Sequence, residues 1–269
     1  MTRQYLKTMI SAVVLTKNEE ENIESCLKSL DWCDEIIIVD DYSKDNTLVR
    51  IKGLGFRVKG KEGKIKIFKR HLNGDFGAQR NFGLEKAKGE WVLFIDADEG
   101  VSEGLQDEIL KQVQDDLNTS VRDQIKGYLI KRKDFFLGKW LNYGETSTVR
   151  LIRLAKKGGG NWVGKVHEEW KIEGKIIELN EPILHYPHPT NSSFLEKINK
   201  YTDIVAQYWL EQGRLISNWE IIFYPAGKFL QNYILRLGFL DGIPGLIMAA
   251  MMSFHSFLAR GKLWFKLRK

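Results

Sequence analysis

The strongest constraint on this chain is a rhythm of apolar runs and helix-period segments. Ile10 to Thr16, Glu35 to Asp41, Lys64 to Phe68 and Glu90 to Asp96 are short, rich in β-branched residues and bounded by turn residues, which reads as buried strands. Between them, "NEEENIESCLKSL" sets Ile23, Leu27 and Leu30 at helical spacing, "SKDNTLVRIKGLG" reads as a short helix closed by Gly53 or Gly55, and "FGAQRNFGLEKAKG" as a helix ended by Gly89. Asn18 is placed to cap the first of these, with acids after it as the helix dipole prefers. Strand alternating with helix predicts right-handed crossovers, a mostly parallel sheet and an α/β fold.

In such a sheet ligands bind at the carboxyl ends of the strands. Asp40, Asp41, Asp96 and Asp98 all fall there, so the rhythm predicts that they converge on one crevice. The acids packed into "DADE", residues 96 to 99, repel one another and need a cation or a full set of donors. A metal site, a phosphatase-type nucleophile or a solvated strand end would each account for them. A haloacid-dehalogenase-type phosphatase wants its D-x-D directly after the first strand, and a receiver domain wants its acidic pair there too; here the pairs follow the second and fourth strands. A divalent ion bridging two phosphates fits better, since it is held by one or two carboxylates plus the phosphates themselves.

Beyond Gly100 the rhythm loosens. "SEGLQDEILKQVQDDL" is an amphipathic helix capped by Ser102, and "GYLIKRKDFF" and "STVRLIRL" read as strands of an antiparallel extension. A Gly-rich turn, "KKGGGNWVGKVHEEW", presents His167, Glu168 and Glu169, and "PILHYPHP" presents His185 and His188. A linker at residues 187 to 193 closes this part, dividing the chain into a catalytic domain, 1–190, and a helical region, 191–269, with helices expected at 194–212 and 219–240. Hydrophobic residues at 43% of 269 exclude a disordered chain. Cys26 and Cys33 lack metal or C-x-x-C spacing and read as reduced packing residues.

The ordered motifs "VVLTKNEEENIESCLKSLDWCDEIIIVDDYSKDNT", "GAQRNFGLEKAKGEWVLFIDADEGVS", "GKVHEEW" and "PILHY" resemble the family-two inverting glycosyltransferases, most of all the bacterial lipopolysaccharide-core glucosyltransferase group. The resemblance implies the glycosyltransferase A fold, a Rossmann-like nucleotide half joined to an acceptor half. It also implies a nucleotide-diphosphate sugar as donor, UDP-linked, and a divalent cation, manganese or magnesium. Carried onto this chain, it gives the turn at Thr16, Asn18 and Glu19 to the nucleoside and Asp41 to the base. Gln79 and Arg80 fall to the diphosphate, Asp96 to ribose or sugar, and Asp98 with His185 to the cation. Inverting transfer needs a base on the face opposite the leaving group. "VHEEW" offers Glu168, with Glu169 as the alternative, because in an extended segment the two point to opposite sides. A sugar-1-phosphate nucleotidyltransferase would want a G-G-x-G-T-R turn where this chain has "TKNEEEN". A non-catalytic membrane or nucleic-acid binding module on a degenerate transferase fold is the other alternative.

Net charge is +6, and the last ten residues carry five basic side chains and no acid. "GIPGLIMAAMMSFHSFLA", Gly242 to Ala259, is uncharged and about the 18 residues at which a spanning helix becomes conceivable, interrupted by Pro244, Ser253, His255 and Ser256. A helix lying against the membrane, its basic tail among headgroups, is the expectation; a soluble core helix is the alternative. No signal peptide is visible, so the expected location is cytoplasmic, peripheral to the inner membrane. The expected partners are the sugar donor, a glycan or lipid-linked acceptor and a membrane surface, not nucleic acid.

Overall fold

The computed structural model describes residues 8–55, 64–116, 125–188 and 190–268. Lys59 to Lys61, in the basic stretch before the third strand, fall outside them. The chain divides into two compact units, Met1–Arg132 with Arg150–His185, and Lys133–Val149 with Tyr186–Lys269.

In the first unit β1 (Ile10–Thr16), β2 (Glu35–Asp40), β3 (Ile65–Lys69) and β4 (Trp91–Asp96) run parallel in the order β3-β2-β1-β4. Beyond β4 the sheet turns antiparallel through β8 (Arg150–Lys156) to β6 (Ile125–Phe136), with β11 (Lys175–Glu178) alongside β6. Successive side chains of a strand face opposite ways. Ala12, Val14, Ile36, Ile38, Leu93 and Ile95 therefore build one core with α1 (Ile23–Lys28), α2 (Thr47–Gly55) and α4 (Glu103–Asp116). Val13, Ile37, Val39, Val92 and Phe94 build the other, beneath α3 (Phe76–Lys86). Apolar runs buried on both faces are the mark of a parallel sheet between helix layers.

Asn18 does not cap α1. It is left-handed (φ 54°), its N–H donates to Ser43 Oγ and its Oδ1 accepts from Lys44 N, so the chain turns until Ile23 before helix begins. Ser102 does cap α4, accepting from Leu105 N at 3.2 Å. Gly83 seats α3 on the sheet: a Cβ there would lie 2.4 Å from Val13 Cγ1. Trp162 and Trp170 are core residues, stacked on each other at 5.3 Å and edge-on to Phe94.

The second unit is built on α5 (Asn191–Glu211), α6 (Asn218–Leu230) and α7 (Ile243–Lys266). A capping box between Thr190 and Ser193 starts α5. The helix expected across 219–240 stops at Leu230 and continues as a π turn, Gln231–Leu235, and a 3-10 turn, Gly238–Asp241, with Leu237 left-handed between them. The apolar helix expected over 242–259 runs on to Lys266, long and apolar enough to cross a membrane by length and composition. Its stripe Met248, Ala249, Ala259 and Leu263 is nevertheless buried.

Candidate functional site

The carboxyl ends of β1, β2 and β4 carry the acids. Asp41 N donates to Thr16 O, which joins the ends of β1 and β2, and Glu19 N donates to Thr47 Oγ1 at the start of α2. With the Asn18 bonds, these lace the loops after β1 and β2 into one floor. Asp40 is spent within its own loop on Ser43 N and Oγ. Asp41 is buried and accepts from Lys17 Nζ at 2.5 Å and Leu72 N at 3.1 Å, beside a stacked Tyr42–His71 pair at 3.9 Å.

At the end of β4 the acids meet two arginines. Arg80 on α3 donates from Nε to Glu168 Oε1 (2.8 Å) and from Nη2 to Asp96 Oδ1 (3.0 Å). Arg153 on β8 donates from Nη2 to Asp96 Oδ2 (2.7 Å) and Glu99 Oε1 (3.2 Å). Burial by itself would raise the Asp96 pKa; Arg153 and Arg80 outweigh it and hold the carboxyl well below its usual range. Burial wins at Glu99, aided by Asp96 against Arg153, and pushes that carboxyl up. Arg80 Nη1 and Arg153 Nε and Nη1 are buried and meet no hydrogen-bond partner among the described residues, so this cluster holds cationic donors beyond those its carboxylates use.

Local chain geometry sets these meetings. Phe76 N donates to Lys165 O, Asn81 exchanges two hydrogen bonds with the Trp162 backbone, and a Cβ on Gly77 would lie 2.5 Å from Gly164 O. These contacts clamp α3 onto the hairpin β9 (Gly160–Val163) and β10 (Glu169–Ile172), bringing Glu168 to Arg80. Glu168 turns inward, 14% exposed, while Glu169 points out at 67% and pairs with Lys171. The short β5 (Glu99–Gly100) pairs with β12 (Ile183–His188), setting His185 opposite Glu99 and His185 Nε2 3.7 Å from Asp98 Oδ1. Gln79 is buried on α3, its amide bonded to the Arg70 side chain and carbonyl. Sequence reasoning did not select Arg153 or Glu99; the signal was a charge set in the otherwise apolar run "LIRLA".

A parallel sheet with an antiparallel extension and acids gathered at its strand ends is the arrangement of the glycosyltransferase A fold. The chain belongs to glycosyl transferase family 2, whose model matches residues 11–172. It is similar to the lipopolysaccharide core biosynthesis glycosyltransferase LpsC of Rhizobium meliloti, at 27% identity over 96% of this chain and 93% of that protein. An uncharacterized glycosyltransferase of Rickettsia bellii is 29% identical over 97% of this chain and 87% of its own length. The mannosyltransferase PcManGT from Pyrobaculum calidifontis, solved with GDP-Man and Mn2+, superposes with a TM-score of 0.53 at 12% identity, covering 97% and 88% of the two chains, a likeness of fold.

Proposed function

We propose that this glycosyltransferase is inverting and cation-dependent, and moves a hexose such as glucose from a UDP-linked sugar to a lipopolysaccharide-core or other cell-envelope glycan. The observation that carries the reading is Arg80, one buried guanidinium that joins Asp96 of the D-x-D to the inward-turned Glu168. LpsC supplies the acceptor class, by its name.

The turn at Thr16, Asn18 and Glu19 receives the nucleoside and Asp41 the base. Gln79, acting through Arg70, and Arg80 serve the diphosphate, while Arg153 holds Asp96 in position. Asp96 orients ribose or sugar. Glu168 takes the acceptor hydroxyl's proton as that oxygen bonds to the anomeric carbon; the bond to the diphosphate breaks and its electron pair leaves with the nucleotide.

Asp98 and His185 would hold the cation. No group of three or more His, Cys, Asp or Glu suited to an ion occurs among the described residues. A carboxylate and an imidazole alone nevertheless fit an ion that takes its other ligands from phosphates and water. When bound, such an ion neutralises charge on the departing diphosphate.

The proposed location is the cytoplasmic face of the inner membrane, with the second unit peripheral to it. Thermal melting with a nucleotide panel, with and without manganese, tests the chemistry: UDP or a UDP-sugar should raise the midpoint in a manganese-dependent way, and Asp98→Ala should abolish that shift. No shift with any nucleotide would overturn the reading.

A further inference from the structure

We infer that the outer face of α6 and the turns that follow it, rather than α7 alone, form a docking surface for an anionic lipid bilayer. This extends the membrane placement above and does not depend on the chemistry of transfer.

A helix on the surface of a soluble unit carries polar residues outward. α6 does the opposite: Trp219, Ile222, Phe223 and Leu230 share one face at helical spacing and are all more than half exposed. Leu235, 77% exposed, continues the apolar surface through the π turn. Of the 24 large hydrophobic side chains exposed among the described residues, 12 lie between Leu215 and Ile243, so this is a concentrated patch rather than ordinary scatter. The side of α6 toward α7 is apolar as well. An open groove of about 450 Å³ between the two helices, lined by Ile221, Pro225, Phe229 and Phe254 among others, could admit an acyl chain.

Charge selects the occupant. From Gly213 to Lys269 the chain carries eight basic and two acidic side chains, and one of those acids, Asp241, is buried. Packing brings basic groups to the apolar face: Trp264 Nε1 donates to Asn218 Oδ1 at 2.7 Å, setting the end of α7, with Lys266 and Arg268, beside the start of α6. Arg268 lies over the Trp264 ring, 3.8 Å from its centre. Exposed aromatics flanked by cations suit the headgroup layer of an anionic bilayer, where apolar burial and charge attraction add. α7, the helix that passes the length test for spanning, instead buries a stripe within its own unit.

Flotation of the full chain with vesicles containing phosphatidylglycerol, against pure phosphatidylcholine vesicles, tests this. Binding should favour the anionic vesicles and weaken with salt. Trp219→Ser/Phe223→Ser/Leu235→Ser should reduce it by roughly tenfold or more, from the apolar area lost. Lys266→Glu/Arg268→Glu, a second variant free of apolar changes, should remove the preference for phosphatidylglycerol. Unchanged binding in both variants overturns the inference. So does a wild-type dimer in lipid-free solution that the triple variant turns into a monomer, since a second copy would then cover the face. Manganese-dependent UDP melting of the same samples reads the chemistry separately.

Discussion

Arg80 and Arg153 answer a question that the sequence poses without resolving. Acids crowded between Asp96 and Glu99 require donors or a cation, and the structure supplies two guanidiniums, from 16 positions before Asp96 and 57 positions after it. That demand is legible in the sequence; its source is not, because nothing local links Arg153 to Asp96. Glu168 against Glu169 is set by how β10 begins, which alternation leaves open. Glu168→Gln should keep donor-dependent stabilisation and lower transfer by about 10²- to 10⁴-fold, while Glu169→Gln leaves both unchanged. Loss in Glu169→Gln alone, measured by sugar transfer, would move the base. Arg153→Met takes the guanidinium from the buried Glu99, leaving Asp96 with Arg80, and should cost about 3–5 kcal/mol in urea unfolding; adding Glu99→Gln should return part of it. Because the folded Asp96 pKa is depressed, its stabilisation is complete above the ordinary carboxylate value of about 3.9 and is lost as pH falls toward the folded one. Asp96→Asn should therefore flatten the acid limb of stability against pH below about 4. A limb as steep as that of the wild type would remove Asp96 from that role.

At the scale of elements, strands were the most legible feature: a period of two in "ISAVVLT" and "EIIIVD" distributes side chains to both cores. Helix starts were less so. The stretch after β1 has cap chemistry, yet its polar groups bind the loop after β2, so α1 begins five residues beyond Asn18. The break after α6 has a signal in Gly238, where a Cβ would lie 2.6 Å from Asn232 O; helical periodicity read across it. Glycines in α2 and α3 differ in the same terms. A Cβ at Gly53 meets nothing within 4 Å among the described residues, and Gly53→Ala should stabilise by about 0.5–1 kcal/mol through helix propensity. Gly83→Ala should destabilise by about 1–3 kcal/mol through overpacking against Val13. Thermal melts of the two variants should move in opposite directions, and a shared direction would contradict the packing described for α3.

For the whole molecule, the α/β fold was legible in the strand–helix rhythm, and the family in the ordered motifs from "VVLTKNEEEN" to "PILHY" that resemble it. The second compact unit draws on two stretches, Tyr186–Lys269 and Lys133–Val149, and no change of composition marks Lys133. Asp241 shows why that segment belongs there, since its buried carboxylate accepts from Asn142 N and Tyr143 N. Deleting residues 241–269 consequently does more than remove a helix proposed to lie near a membrane. It takes away Asp241 and the buried stripe of α7, so hydrogen exchange should show loss of protection across α5 and α6. Protection retained there would mean that the unit holds without α7.

The arginine shared by Asp96 and Glu168 bears on how such enzymes could be recombined. A chimaera that imports the "VHEEW" loop from a relative would bring a carboxylate matched to a different α3. The loop and the helix therefore make one unit of exchange, though 88 positions separate Arg80 from Glu168, and a crossover point placed between them would divide it.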